Sequence, residues 1–101
     1  MTWTIQNTGL LIVEGEVEES CIDEFCAELV TALAAPASNV VDMRDLEILD
    51  GVSMSCIVSV LRKLLPLEIH HAPQMLAHTF YKIGQLDAGE LVLVNPRYDE
   101  N

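Results

Sequence analysis

Apolar and polar residues alternate from Trp3 to Gln6, with Trp3 and Ile5 on one side. Asn7-Thr8-Gly9 is a turn signal, and Leu10 to Val17 follows as a second strand-like run. Together they predict a β-hairpin. Within the second run Leu10-Leu11-Ile12-Val13 is continuously apolar, the pattern of a strand covered on both faces. From Ser20 the period changes. Apolar residues recur at Ile22, Phe25, Cys26, Leu29, Val30 and Leu33, the spacing of an amphipathic helix. Ser20 and Asp23 have the separation of a capping box, and Glu24 adds negative charge to the first turn. Pro36 and Ser38 mark the end of this helix.

Asn39 to Met43 reads as a short strand. The connection over residues 44–50 contains Leu46, Ile48 and Leu49, which place it against the core rather than in solvent. A second helix runs from about Ser53 to Leu65, with Met54, Ile57, Val58, Leu61, Leu64 and Leu65 on its apolar face. Arg62 and Lys63 in its last turn complement the helix dipole, and Pro66 stops it. Leu67 to His70 is a further strand. A third helix opens at Pro73 and continues to Ile83, with Leu76, Phe80 and Ile83 inward and Gly84 just beyond. Leu91 to Val94 is the last strand, closed by Pro96, and residues 97–101 form a polar tail expected to fray. The order β-β-α-β-α-β-α-β predicts parallel crossovers behind an antiparallel edge. The expected fold is therefore α/β: one domain over residues 1–101, with a mixed, mostly parallel five-stranded sheet, an N-terminal β-hairpin and three to four helices packed against it.

Composition narrows the function. The chain has 101 residues, half of them apolar, and a net charge of −11. Such a field repels phosphate backbones and anionic membrane surfaces, so nucleic acid and direct membrane insertion are disfavoured. The charge is lopsided: residues 1–50 hold eleven acids and one base, Arg44. That half is either a solvated face or a surface for a basic partner. No apolar run approaches the roughly 18 residues that span a bilayer, and no signal-peptide pattern opens the chain, which points to the cytoplasm. Cys21, Cys26 and Cys56 are odd in number and lack CxxC spacing, so neither a disulfide framework nor a zinc site is expected. Cys26 and Cys56 fall in helical stripes as small hydrophobes, in keeping with a reducing compartment.

Two local motifs carry a resemblance. Gly15-Glu16-Val17-Glu18 precedes the first helix, and Val40-Val41-Asp42 is followed, after a short gap, by Ile48-Leu49-Asp50 ahead of the second. With the element order, these resemble the STAS family of anti-sigma-factor antagonists. In regulatory members of that family, an Asp before the central helix is followed by Ser-Ser-Gly or Ser-Thr-Gly, and the first hydroxyl accepts phosphate from an anti-sigma-factor kinase. Here Asp50 is followed by Gly51-Val52-Ser53. Gly51 stands at the phosphoacceptor position and Val52 at the second hydroxyl, while Ser53 takes the family's glycine position. The resemblance thus implies the fold without the phospho-switch.

Independently of any family, the junction before the second helix presents free N–H groups and the positive end of a helix dipole. Gly51 permits positive φ and close approach of another backbone. Asp50, Gly51, Val52, Ser53 and Met54 are therefore the candidate partner-binding residues. Ser53 is a candidate phosphorylation site as well as a candidate N-cap, and Asp50 is either a capping carboxylate or a partner contact. His70, His71 and His78 lack the further ligands a metal would need. No P-loop, Gly-x-Ser-x-Gly or Gly-x-Gly-x-x-Gly motif is present. Asp42, Asp45, Glu47 and Asp50, with Glu16 and Glu18, mimic the Mg²⁺-holding acids of a receiver domain, but no lysine follows Lys82. No cofactor, metal or catalytic residue is expected.

Two classes of function remain. One is a regulatory interaction module that binds an anti-sigma-factor-like kinase through the 49–55 loop and the second helix. The alternative is a STAS accessory subunit of an ABC-type lipid transport complex, whose relatives also depart from Ser-Ser-Gly. A nucleotide-binding role lacks a phosphate-cradling loop, and homodimerisation is left open.

Overall fold

In the computed structural model, residues 3–34, 39–83 and 90–97 are described. Strands β1 (Trp3–Asn7) and β2 (Leu11–Val17) form the expected antiparallel hairpin, pairing Trp3 with Gly15 and Asn7 with Leu11. Gly9 turns the chain at φ 104°, a region that favours glycine, and its N–H donates to Asn7 Oδ1 at 3.3 Å. Helix α1 (Ile22–Ala34), strands β3 (Val40–Asp42) and β4 (Leu46–Ile48), helix α2 (Gly51–Lys63), strand β5 (Leu67–His70), helix α3 (Gln74–Lys82) and strand β6 (Leu91–Val94) follow.

The sheet order is β1-β2-β3-β5-β6, with β4 also paired to β2. Among the described residues six strands are present where five were expected. The additional one is β4, drawn from the apolar connection over residues 44–50. Strands β3 and β4 pair in parallel with successive parts of β2: Leu11 lies beside Val41, and Gly15 beside Leu46. Of the residues between them, Met43 is buried in the core, while Arg44 and Asp45 are exposed. Three residues are too few for a periodic signal, and only the free edge of β2 makes them a strand.

Each crossover steps in the same direction across the sheet. Right-handed connections then place all three helices on one face. Phe25 and Leu29 of α1, Ile57 and Leu61 of α2, and Leu76 and Phe80 of α3 accordingly join Val13, Val41 and Ile69 in one core. Each such side chain contributes about 1.5–3 kcal/mol through burial. Trp3 meets Phe25 edge-on, with ring centroids 5.2 Å apart, and fastens the hairpin to α1.

Several expectations are corrected. The run Leu10–Val13 is covered on one face only: Leu11 and Val13 are buried, while Leu10 and Ile12 are half-exposed because no helix among the described residues lies over the other side. Ser20 does not cap α1. Its hydroxyl donates to Glu18 Oε2 at 2.7 Å, and the helix begins at Ile22. Val30 and Ile83, at the margins of their stripes, are exposed. Helix α2 begins at Gly51, two residues before the expected start. Arg97 does not fray: its N–H donates to Ala72 O at 2.9 Å, its Nε to His71 O at 3.2 Å, and its Nη2 to Leu46 O. Pro36, Ser38, Gly84 and residues 98–101 lie outside the described residues. Among the described residues, no helix is long and apolar enough to cross a membrane.

Candidate functional site

Leu49 extends the strand-like path of β4, its N–H donating to Val17 O at 2.9 Å. Asp50 then takes an extended conformation, φ −148° and ψ 166°, and caps α2. Its Oδ1 accepts the Ser53 N–H at 2.8 Å, the arrangement of an N-cap side chain reaching the third helical residue. Its Oδ2 accepts the Glu19 N–H, also at 2.8 Å, from the turn between β2 and α1. These bonds hold the carboxyl below its ordinary value of 3.8. The Ser53 amide is the principal cause; slight burial opposes it, and the Glu19 amide assists. Of the two roles open to Asp50, the structure shows the cap.

Gly51 and Val52 form the first exposed residues of α2, with Val52 51% accessible. The positive φ that Gly51 permits is not used. Its backbone is ordinary, and a Cβ built there would meet nothing within 4 Å. Ser53 is not the N-cap. It sits one turn inside the helix, 0% exposed, and its Oγ is buried without a hydrogen-bond partner. The five candidates thus divide. Asp50 is committed to the cap, Gly51 and Val52 present surface, Met54 is half-buried, and Ser53 faces the core. No kinase reaches the Ser53 hydroxyl unless the first turn of α2 opens.

Sequence reasoning missed the apolar character of the surroundings. Leu49 and Met75 are exposed beside this junction. Ile48, Met54 and Met75 line a shallow hollow of about 100 Å³ together with Arg97. A larger open groove of about 570 Å³ follows α2 from Met54 past Val58 to Arg62 and Lys63, bordered by Thr79 of α3. Met75 was legible only as a helix residue. Its approach to Ile48 depends on the packing of α3 beside β4.

The acids that mimicked a receiver domain do not converge. Asp42 Oδ1 accepts the Arg44 N–H at 3.0 Å and lies 3.3 Å from His71 Nδ1. Glu47 points outward from β4, and Asp50 is the cap. His70 Nε2 pairs with Glu68 Oε2 at 2.5 Å, and His71, at φ 59°, lies outside α3 and so shares no helix face with His78. Among the described residues, no group of three or more His, Cys, Asp or Glu side chains has metal-binding geometry.

The strand order and the placement of the helices define a class of fold, the STAS-like α/β domain. The particular likeness is to a solved structure from Bacillus, the cell fate determinant SpoIIAA in its phosphorylated form. That structure matches with a TM-score of 0.62 over 93% of this chain and 92% of its own, at 12% sequence identity. No protein-family model matches the chain, and no curated protein matches it. The likeness is one of fold.

Proposed function

We propose that this protein is a non-enzymatic regulatory interaction module. It binds a partner protein through residues 49–55 and the exposed side of α2, and it works without a phosphoserine switch. The observation that carries this reading is the division of the junction. Gly51 and Val52, where the resemblance places the family's hydroxyls, form open surface, while the nearby hydroxyl residue, Ser53, is sealed. Leu49, Val52 and Met75 offer apolar contacts that association would bury, and the Asp50 cap fixes the first turn of α2, which carries Val52.

The test is a pull-down from the protein's own cells with the native chain, Val52→Lys and Ser53→Ala. The native chain and Ser53→Ala recover an anti-sigma-factor-like kinase, and Val52→Lys does not. Equal recovery by all three would remove the 49–55 surface from the interaction. The departure from Ser-Ser-Gly at Gly51 and Val52 also keeps a second reading in view, an accessory subunit of an ABC-type lipid transporter. Recovery of a transporter ATPase in place of a kinase selects it.

A further inference from the structure

The sheet has a second face, and nothing among the described residues covers it. All three helices lie opposite, and strand register decides what the uncovered side presents. Leu11, Val13 and Val17 of β2 point to the core, so Ile12, Glu14 and Glu16 point outward. Ile12 lies beside Asp42, which lies beside His70 and then Val94. Val40, Glu68 and Val92 form a neighbouring row. Glu16 lies directly beside Glu47.

This face therefore carries five carboxylates, from Glu14, Glu16, Asp42, Glu47 and Glu68, of which Glu68 is paired with His70 and Asp42 faces His71, between apolar residues such as Ile12 and the 48% exposed Val92. No strand contributes a Lys or Arg to it: Arg44 lies between β3 and β4, Arg62 and Lys63 in α2, Lys82 in α3 and Arg97 beyond β6. Like charges side by side, as at Glu16 and Glu47, oppose sheet formation. A surface selected for stability alone would alternate the signs.

We infer that the uncovered sheet face is a second docking surface, distinct from residues 49–55, whose occupant is a basic amphipathic segment of another protein. Its Lys or Arg side chains meet chiefly Glu14, Glu16 and Glu47, and its apolar side rests on Ile12, Val40 and Val92. Charge complementarity selects this occupant. A second copy of the chain would bring the same carboxylates face to face. None of residues 1–2, 35–38, 84–89 and 98–101 is Lys or Arg, so none of these segments is the basic occupant. A protein with both surfaces engaged would join two partners.

The test is an NMR titration with a synthetic amphipathic helical peptide of Leu and Lys. Two variants with the same net charge run beside the native chain: Glu14→Lys/Glu47→Lys on the sheet face, and Glu24→Lys/Glu28→Lys on the exposed side of α1. Thermal melting confirms that each is folded. The peptide binds saturably, perturbing Ile12, Val40 and Val92. The sheet-face variant weakens it by about tenfold or more, and the α1 variant leaves it within about twofold. Equal weakening by both variants would show only bulk attraction and overturn the inference. Perturbations centred on Gly51 and Val52, or no saturable binding, would overturn it as well. Since residues 49–55 are unchanged in both variants, this outcome is independent of the pull-down.

Discussion

Asp50 and Glu19, 31 residues apart in sequence, are joined by a hydrogen bond of 2.8 Å from the Glu19 amide to Asp50 Oδ2. The same carboxylate caps α2 through its other oxygen. One side chain thereby sets the relative position of the β2–α1 turn and the start of α2, the two segments that border the proposed docking surface.

This arrangement has a pH signature. The folded-state pKa of Asp50 is lowered from 3.8. The stabilisation it provides is fully present above that value and is lost as pH falls through the lower, folded-state pKa. An Asp50→Asn variant keeps an acceptor for Ser53 but does not titrate. The difference in Tm between the native chain and Asp50→Asn stays constant from neutral pH down to about 4 and shrinks below it. A constant difference down to pH 2 would show that the charge contributes nothing.

Ser53→Ala removes a buried hydroxyl that has no partner and supplies a better helix former. Stability rises by about 1 kcal/mol, a Tm increase of roughly 4–8 °C for a domain of this size. Gly51→Ala is likewise tolerated, since its Cβ meets nothing, and it adds up to about 1 kcal/mol. Thermal melts read both.

The Trp3–Phe25 contact is the fastening between hairpin and helix. Phe25→Leu keeps an apolar side chain but loses the aromatic pair and part of the volume, at a cost of about 1–3 kcal/mol. Trp3 is the single tryptophan, so its fluorescence reports the same event directly. An unchanged Tm with an unchanged emission spectrum would deny the contact any role.

Cys26 in α1 has its thiol pushed up to about 11, chiefly by burial, with the neighbouring Cys56 and Asp23 adding to it. The folded state thus favours the protonated thiol. Its contribution is fully present below the ordinary value of 9.0 and is lost as pH rises toward 11. At pH 8 the folded protein alkylates slowly at Cys26 with iodoacetamide, and the denatured chain much faster. Mass spectrometry of the alkylated peptides distinguishes the two rates.

Much of the architecture was legible along the chain. The hairpin follows from alternation around Asn7-Thr8-Gly9, and helix α1 from the spacing of Ile22, Phe25 and Leu29. The α2 stripe through Ile57 and Leu61 was equally plain. These patterns are local: a strand repeats every two residues and a helix every 3.6, so a few turns of sequence declare them. The segment 49–55 could also be singled out as a junction, because an Asp and a Gly precede an apolar helix.

What each residue does at that junction was decided elsewhere. Whether Asp50 or Ser53 caps α2 is a choice between two local solutions, and the distant Glu19 amide favours Asp50. Strand β4 exists because β2 offers a free edge beyond Val41. The covering of one sheet face and the exposure of Ile12 and Val92 follow from crossovers that all step one way. None of these has a sequence period, because each is a contact between segments far apart in the chain. The hydrophobic pattern determined which elements form and which side of each seeks the core. Only assembly, through strand order and long-range hydrogen bonds, settled which surfaces remained for a partner.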